Sequence, residues 1–145
     1  AQAVAERPRD CPDEPAIELE VRGPEGVGEP LRVGGHITDL TTSRDESAPL
    51  SLVGTLDTKG TLAFERVTRA LALDNYAATA RGAPARRLTL TLHGDPIADL
   101  EVTTALRGRR FRLPVRADLA PPFTDDTADA LDRALRVDRR CFPGR

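Results

Sequence analysis

The sequence predicts an all-β fold: a two-sheet β-sandwich of immunoglobulin-like or transthyretin-like type, with an extended N-terminal arm and a C-terminal amphipathic helix. Three observations lead there. Apolar and charged residues alternate in short stretches, most clearly in "AIELEVRG" and "RRLTLTLHG", and a period of two belongs to a strand with one buried face. Clusters of glycine, proline and aspartate separate these stretches at short intervals, as in a sandwich, with a barrel as the other closure. The period then lengthens to that of a helix near the end, in "TDDTADALDRALRVDRR".

Residues 1–15 are polar, with prolines at Pro8, Pro12 and Pro15, and read as the arm; residues 16–145 then form a single sandwich domain. In the first strand Ile17, Leu19 and Val21 share one face, with Glu18, Glu20 and Arg22 on the other. "GPEGVG" follows as a turn. Leu31, Val33 and Ile37 repeat the alternation, with Gly34 and Gly35 allowing a bulge. "TTSRDESAP" reads as a polar loop, and "LSLVGTLDTKGTLAF" as a tight hairpin turning at Asp57-Thr58-Lys59-Gly60.

Residues 61–82 suit a helix or a strand. Phe64, Val67 and Leu71 cluster on a helical wheel, but Leu62, Leu73 and Tyr76 fall on the other side, which favours strand through Leu73. Leu88, Leu90 and Leu92 point inward in the next strand, and "DLEVTTALRG" and "RRFRLPVRADL" continue the meander. Pro114 marks an edge strand or a bulge. The closing helix spans 125–140, with Thr124 as N-cap, Asp125, Asp126 and Asp129 at its positive end and Arg139 and Arg140 at its negative end. Ala128, Leu131 and Leu135 form its apolar stripe. The segments "LALDNY", "LTLTLHGDPIAD" and "FRLPVRADL" followed by a helix resemble the sandwich repeat of desiccation-related, late-embryogenesis-abundant proteins. That repeat's Asn-Pro is absent, Asn75 being followed by Tyr76.

A net charge of −2, from 21 basic and 23 acidic residues, supplies no global field for nucleic acid or an anionic membrane. No run of 18 apolar residues occurs, so no transmembrane segment is expected. The arginine-rich, alanine-rich composition looks like the usage of a GC-rich bacterial genome. No methionine occurs and the chain opens "AQAVAERP", small residues of the kind that flank a signal-peptidase cut, which suggests a processed, exported chain or a domain cut from a longer one. Cys11 and Cys141 lie among charged residues and prolines near the two ends, not inside apolar strands. They read as a disulfide, which implies an extracytoplasmic location: periplasm, cell surface or medium.

The spacing of polar residues offers little chemistry. G-x-S-x-G, HExxH, CxxC and a glycine-rich phosphate loop are all absent from the sequence. His36, Asp39, His93 and Asp95 include the chain's two histidines and could ligate a transition metal only if their two segments meet. Arg107, Arg109, Arg110 and Arg112, with Arg116 beyond them, could clamp an anion, or else form the solvated face of a strand that turns Phe111, Leu113 and Val115 inward. No cofactor is expected. The sequence reading is therefore an exported, non-enzymatic β-sandwich module that binds a protein partner or self-associates, as in an extracellular fibre or envelope complex. The arm and the edge strand at Pro114 are its contact elements. The alternatives are an anion-binding carrier and a metal-dependent enzyme built on His36 and His93.

Overall fold

Alternation along Ile17–Arg22 becomes alternating burial in the computed structural model: Ile17, Leu19 and Val21 are buried and the residues between them half-buried. The structure describes residues 11–23, 28–30, 36–45 and 48–142. The arm over residues 1–10, the turn at 24–27, and Leu31, Val33, Gly34 and Gly35 lie outside them. Strand β1 (Ile17–Arg22) runs antiparallel to β2 (Gly28–Pro30) on one side and to β5 (Arg87–Leu92) on the other. β5 continues to β6 (Asp95–Glu101), giving a four-stranded sheet in the order β2-β1-β5-β6. The second sheet is β3 (Ile37–Asp45), β4 (Ala48–Leu56) and β7 (Arg110–Pro114), in the order β3-β4-β7, also antiparallel.

Among the described residues the two sheets meet at one bridge, Ala98 with Val115, and there the Arg116 N–H donates to the Ile97 carbonyl at 3.0 Å. β7 is thus the edge of its sheet, as Pro114 requires. Ile17, Leu19, Leu88 and Leu90 from the first sheet and Ile37, Leu52, Leu56 and Leu113 from the second belong to one apolar core. The β5–β6 hairpin turns at His93 and Gly94, both at positive φ (51° and 85°), the geometry of a two-residue type I′ loop.

Helix α2 (Asp125–Cys141) begins after Thr124 in extended conformation, and the Thr124 N–H donates to Thr127 Oγ1 at 3.1 Å. Its stripe holds it down: Leu131, Ala134 and Leu135 are buried, each leucine stabilising by about 1.5–3 kcal/mol. The helix packs on β1 and β3, and Arg139 donates to the Thr38 carbonyl at 3.0 Å. The two-sheet arrangement with a C-terminal helix matches the sequence reading.

One element corrects the strictly all-β expectation. The expected hairpin at Asp57–Gly60 and the strand favoured through Leu73, in a stretch that also suits a helix over 61–82, are instead a 23-residue helix α1 (Thr58–Ala80). Asp57 turns no hairpin; it is the N-cap, its carboxylate accepting from the Gly60 N–H at 2.8 Å. At the far end Gly82, at φ 72°, lets the Ala83 N–H reach the Ala78 carbonyl at 2.8 Å and close the helix. The buried positions Gly60, Phe64, Thr68, Leu71, Asn75 and Ala78 follow helical spacing, but two are polar, and Leu62, Leu73 and Tyr76 are exposed. Both departures blur the apolar stripe that would have announced the helix. Two smaller corrections follow. The expected loop "TTSRDESAP" is largely strand, because Thr41, Thr42 and Ser43 pair with Val53, Leu52 and Ser51. β6 ends at Glu101, so "VTTALRG" is not strand; Val102 instead turns its carbonyl to the Asn75 amide.

Candidate functional site

Three sets of contacts fix the inner face of α1. At its start, Asp57 bonds the buried His36, whose Nδ1 lies 3.0 and 2.9 Å from the two carboxylate oxygens. Burial works to raise the Asp57 carboxyl, but the Gly60 N–H and the His36 ring, helped by Lys59, hold it below the usual carboxylate range. One turn on, the ring of Phe64 meets Phe111 of β7 at 5.5 Å between centroids. Phe111 in turn covers Gly54, where any Cβ would run into its ring.

Farther along, two buried polar side chains bind loop backbone. Thr68 Oγ1 accepts from the Leu106 N–H at 2.9 Å. Asn75 donates to the carbonyls of Arg86 (3.0 Å) and Val102 (2.9 Å) and accepts from the Arg86 N–H (2.8 Å). Those polar residues satisfy the connections α1–β5 and β6–β7, which have no ladder of their own.

With one face fixed, the opposite face is left to solvent. Leu62, Leu73 and Tyr76 are 60%, 67% and 80% exposed, and they are the exposed large hydrophobics among the described residues. At about 100° per residue they fall within about 60° of one another, a stripe about 21 Å long. Exposed Ala77 and Ala80 extend it, and Arg66 and Arg69 project within it. Glu65 flanks the stripe and is engaged by Arg69 at 2.9 Å and by Arg107 of the β6–β7 connection at 3.7 Å.

The residues singled out in the sequence fall as follows. Cys11 and Cys141 form a disulfide, with Cα atoms 5.7 Å apart. Arg110 and Arg112 lie on the outward face of β7, where Arg112 donates to Ser43 Oγ at 3.3 Å; Arg109 is exposed in the preceding turn, and Arg107 leans toward α1. His36 is turned to Asp57 and not to exposed Asp39, while His93 and Asp95 stand exposed at the β5–β6 turn of the other sheet. Among the described residues no group of three or more His, Cys, Asp or Glu side chains is placed to hold a metal ion.

A charged cluster that the sequence pattern did not reveal surrounds Arg116. Its guanidinium forks onto Asp118 at 3.0 and 2.8 Å, and Arg87 meets Asp99 at 3.0 Å. The fork to Arg116 holds the Asp118 carboxyl below its usual range. Three shallow grooves of about 380 to 430 Å³ share Arg116 in their walls, but these charges already neutralise one another.

No family model matches the chain, and no curated protein matches it. Two solved structures are similar in fold. One is SecDF, described as a membrane component that enhances protein export: 22% identity, TM-score 0.55, over 79% of this chain and 44% of that one. Another is SecDF in its super-membrane-facing form: 21% identity, TM-score 0.55, over 81% of this chain and 14% of that one. The chain therefore spans less than half the length of either, and at this identity the likeness shows the fold alone.

Proposed function

We propose that this chain is an extracytoplasmic, non-enzymatic module that works by binding another polypeptide through the outer face of α1. The observation that carries the reading is the placement of Leu62, Leu73 and Tyr76 together on one exposed helix face, since apolar groups gathered into one exposed patch mark interaction surfaces more than scattered ones do. That face is backed by a rigid scaffold, because the inner face of α1 is bonded to both flanking loops and to β7. A rigid face is not reordered on binding, which lowers the entropic cost of association.

Two further facts support the reading. The Cys11–Cys141 disulfide suits an oxidising compartment. The similar solved structures belong to a membrane component described as enhancing protein export. The prominent carboxylates that make buried or bidentate contacts serve the fold: Asp57 caps α1, and Asp138 binds β1.

A photo-crosslinking amino acid at position 76 of the exported chain tests this in cells. The expected product is an adduct with a second, different polypeptide, absent when the same group stands at position 112. An adduct only with another copy of this chain, or none, would overturn the reading.

A further inference from the structure

Resting on that reading, we infer that the segment received by the outer face of α1 is an acidic amphipathic helix. The face is basic as well as apolar. Within about 70° of the stripe's axis stand Lys59, Arg66 and Arg69, against the single carboxylate of Glu65, which Arg69 and Arg107 already engage. The whole chain, by contrast, carries a net charge of −2. Arg66 and Arg69 sit near the middle of the stripe, with Leu62 about 6–10 Å to one side, and Leu73 about 6–10 Å and Tyr76 about 10–15 Å to the other, at 1.5 Å per residue. A complementary segment has carboxylates at its centre and an apolar residue about two turns away on each side.

The occupant's conformation follows from the face. The backbone of α1 is hydrogen-bonded within the helix and offers no edge for strand addition, so affinity comes from side chains, as when one helix packs its ridges into the grooves of another. A second copy of this chain is disfavoured. Antiparallel pairing about the stripe's centre brings Arg69 against Arg69, and like charges meeting at an interface carry a large penalty. A membrane surface is disfavoured too: the stripe is narrow, an arginine divides it, and the chain's net charge is negative.

The test uses the oxidised chain and two synthetic amphipathic peptides of about 20 residues with the same leucine pattern, one with glutamate and one with lysine at the flanking positions. Titrations by calorimetry and by backbone amide shifts are run beside anionic phosphatidylglycerol vesicles. The glutamate peptide is expected to bind, with shifts confined to residues 59–80 and the Arg107 turn. Arg66→Glu with Arg69→Glu should weaken it at least about tenfold and favour the lysine peptide, while lowering thermal stability only slightly, through loss of the exposed Arg69–Glu65 pair. Equal binding of the two peptides, shifts that map elsewhere, or binding to vesicles alone would overturn the inference. If the adduct from position 76 forms in cells while the peptides fail to discriminate, the interaction reading stands and the acidic-helix assignment falls.

Discussion

The main-chain N–H of Ala16 donates to Asp138 Oδ1 at 2.8 Å, across 122 positions of sequence, and the N–H of Ile17 donates to the other carboxylate oxygen at 2.9 Å. Asp138 is fully buried. With Cys141 three residues on and bonded to Cys11, one turn of α2 holds the start of β1 by a covalent bond and a carboxylate. The first and last segments of the described fold are joined there.

Replacing Asp138 by alanine leaves two buried N–H groups without an acceptor and is expected to cost about 3 kcal/mol, measurable by urea unfolding. Its titration gives a second reading. Burial pushes the Asp138 carboxyl above the usual range, against the N–H bonds from Ala16 and Ile17 and the nearby His93. A raised folded value means that the protonated form favours the fold: that contribution is full below the unfolded value of 3.8 and is lost as pH rises through the folded one. The stability gap between wild type and Asp138→Asn should therefore move in favour of wild type on acidification. A gap independent of pH would contradict this.

Reduction of the disulfide, or Cys11→Ser with Cys141→Ser, removes a link spanning 130 positions. Loop entropy puts the loss at about 4 to 5 kcal/mol, or on the order of 10 to 15 °C in Tm for a chain of this size. Calorimetry with and without reductant measures it. A change under about 3 °C would mean that the Asp138 contacts and the α2 stripe hold the junction unaided.

Gly60→Ala should destabilise, although alanine is the better helix former by about 1 kcal/mol. The added Cβ would stand 2.6 Å from the His36 Cβ, and relief requires His36 to leave Asp57. The expected net loss is about 1–2 kcal/mol. Asp57 itself should behave oppositely to Asp138: its folded value is lowered, so its contribution is present above 3.8 and lost as pH falls through the folded value. The advantage of wild type over Asp57→Asn should shrink on acidification, as followed by chemical unfolding at stepped pH.

Asn75→Ala is expected to cost about 2–4 kcal/mol, since three backbone partners, the Val102 carbonyl buried and the Arg86 carbonyl and N–H half-buried, lose their bonds together. Two residues away, Leu73→Ala should change stability by no more than about 0.5 kcal/mol. Equilibrium unfolding of the pair tests which face of α1 builds the fold; comparable losses would contradict the assignment.

Where pattern and burial agree, the sequence was readable. Ile17, Leu19 and Val21 in β1, Leu88 and Leu90 in β5, Phe111 and Leu113 in β7, and Leu131 and Leu135 in α2 all behave as their periodicity indicates, whereas in β5 Thr89 and Thr91 are buried as well and Leu92 is half-buried. The disulfide was readable from the local chemistry of Cys11 and Cys141. α1 was not, because its buried face includes Thr68 and Asn75, which bind loops distant in sequence, while its largest apolar groups other than Phe64 and Leu71 face outward. Periodicity assumes that apolar means buried, and here the exposed face of α1 violates it. Signals for the helix were present at its ends: Asp57-Thr58-Lys59-Gly60 also fits an N-cap, and Gly82 a C-terminal stop. Leu62, Leu73 and Tyr76, which on periodicity alone weigh against a helix, form the candidate site.

The account turns on α1 having one face for the fold and one for a partner. The most direct measurement is to make Leu62→Ser, Leu73→Ser and Tyr76→Ser together, move the photo-crosslinking group to position 69 on the same face, and follow urea unfolding and adduct yield in parallel. The account predicts unfolding within about 0.5 kcal/mol of wild type and an adduct yield reduced at least about tenfold. Undiminished crosslinking, or a loss of stability of about 2 kcal/mol or more, would contradict it.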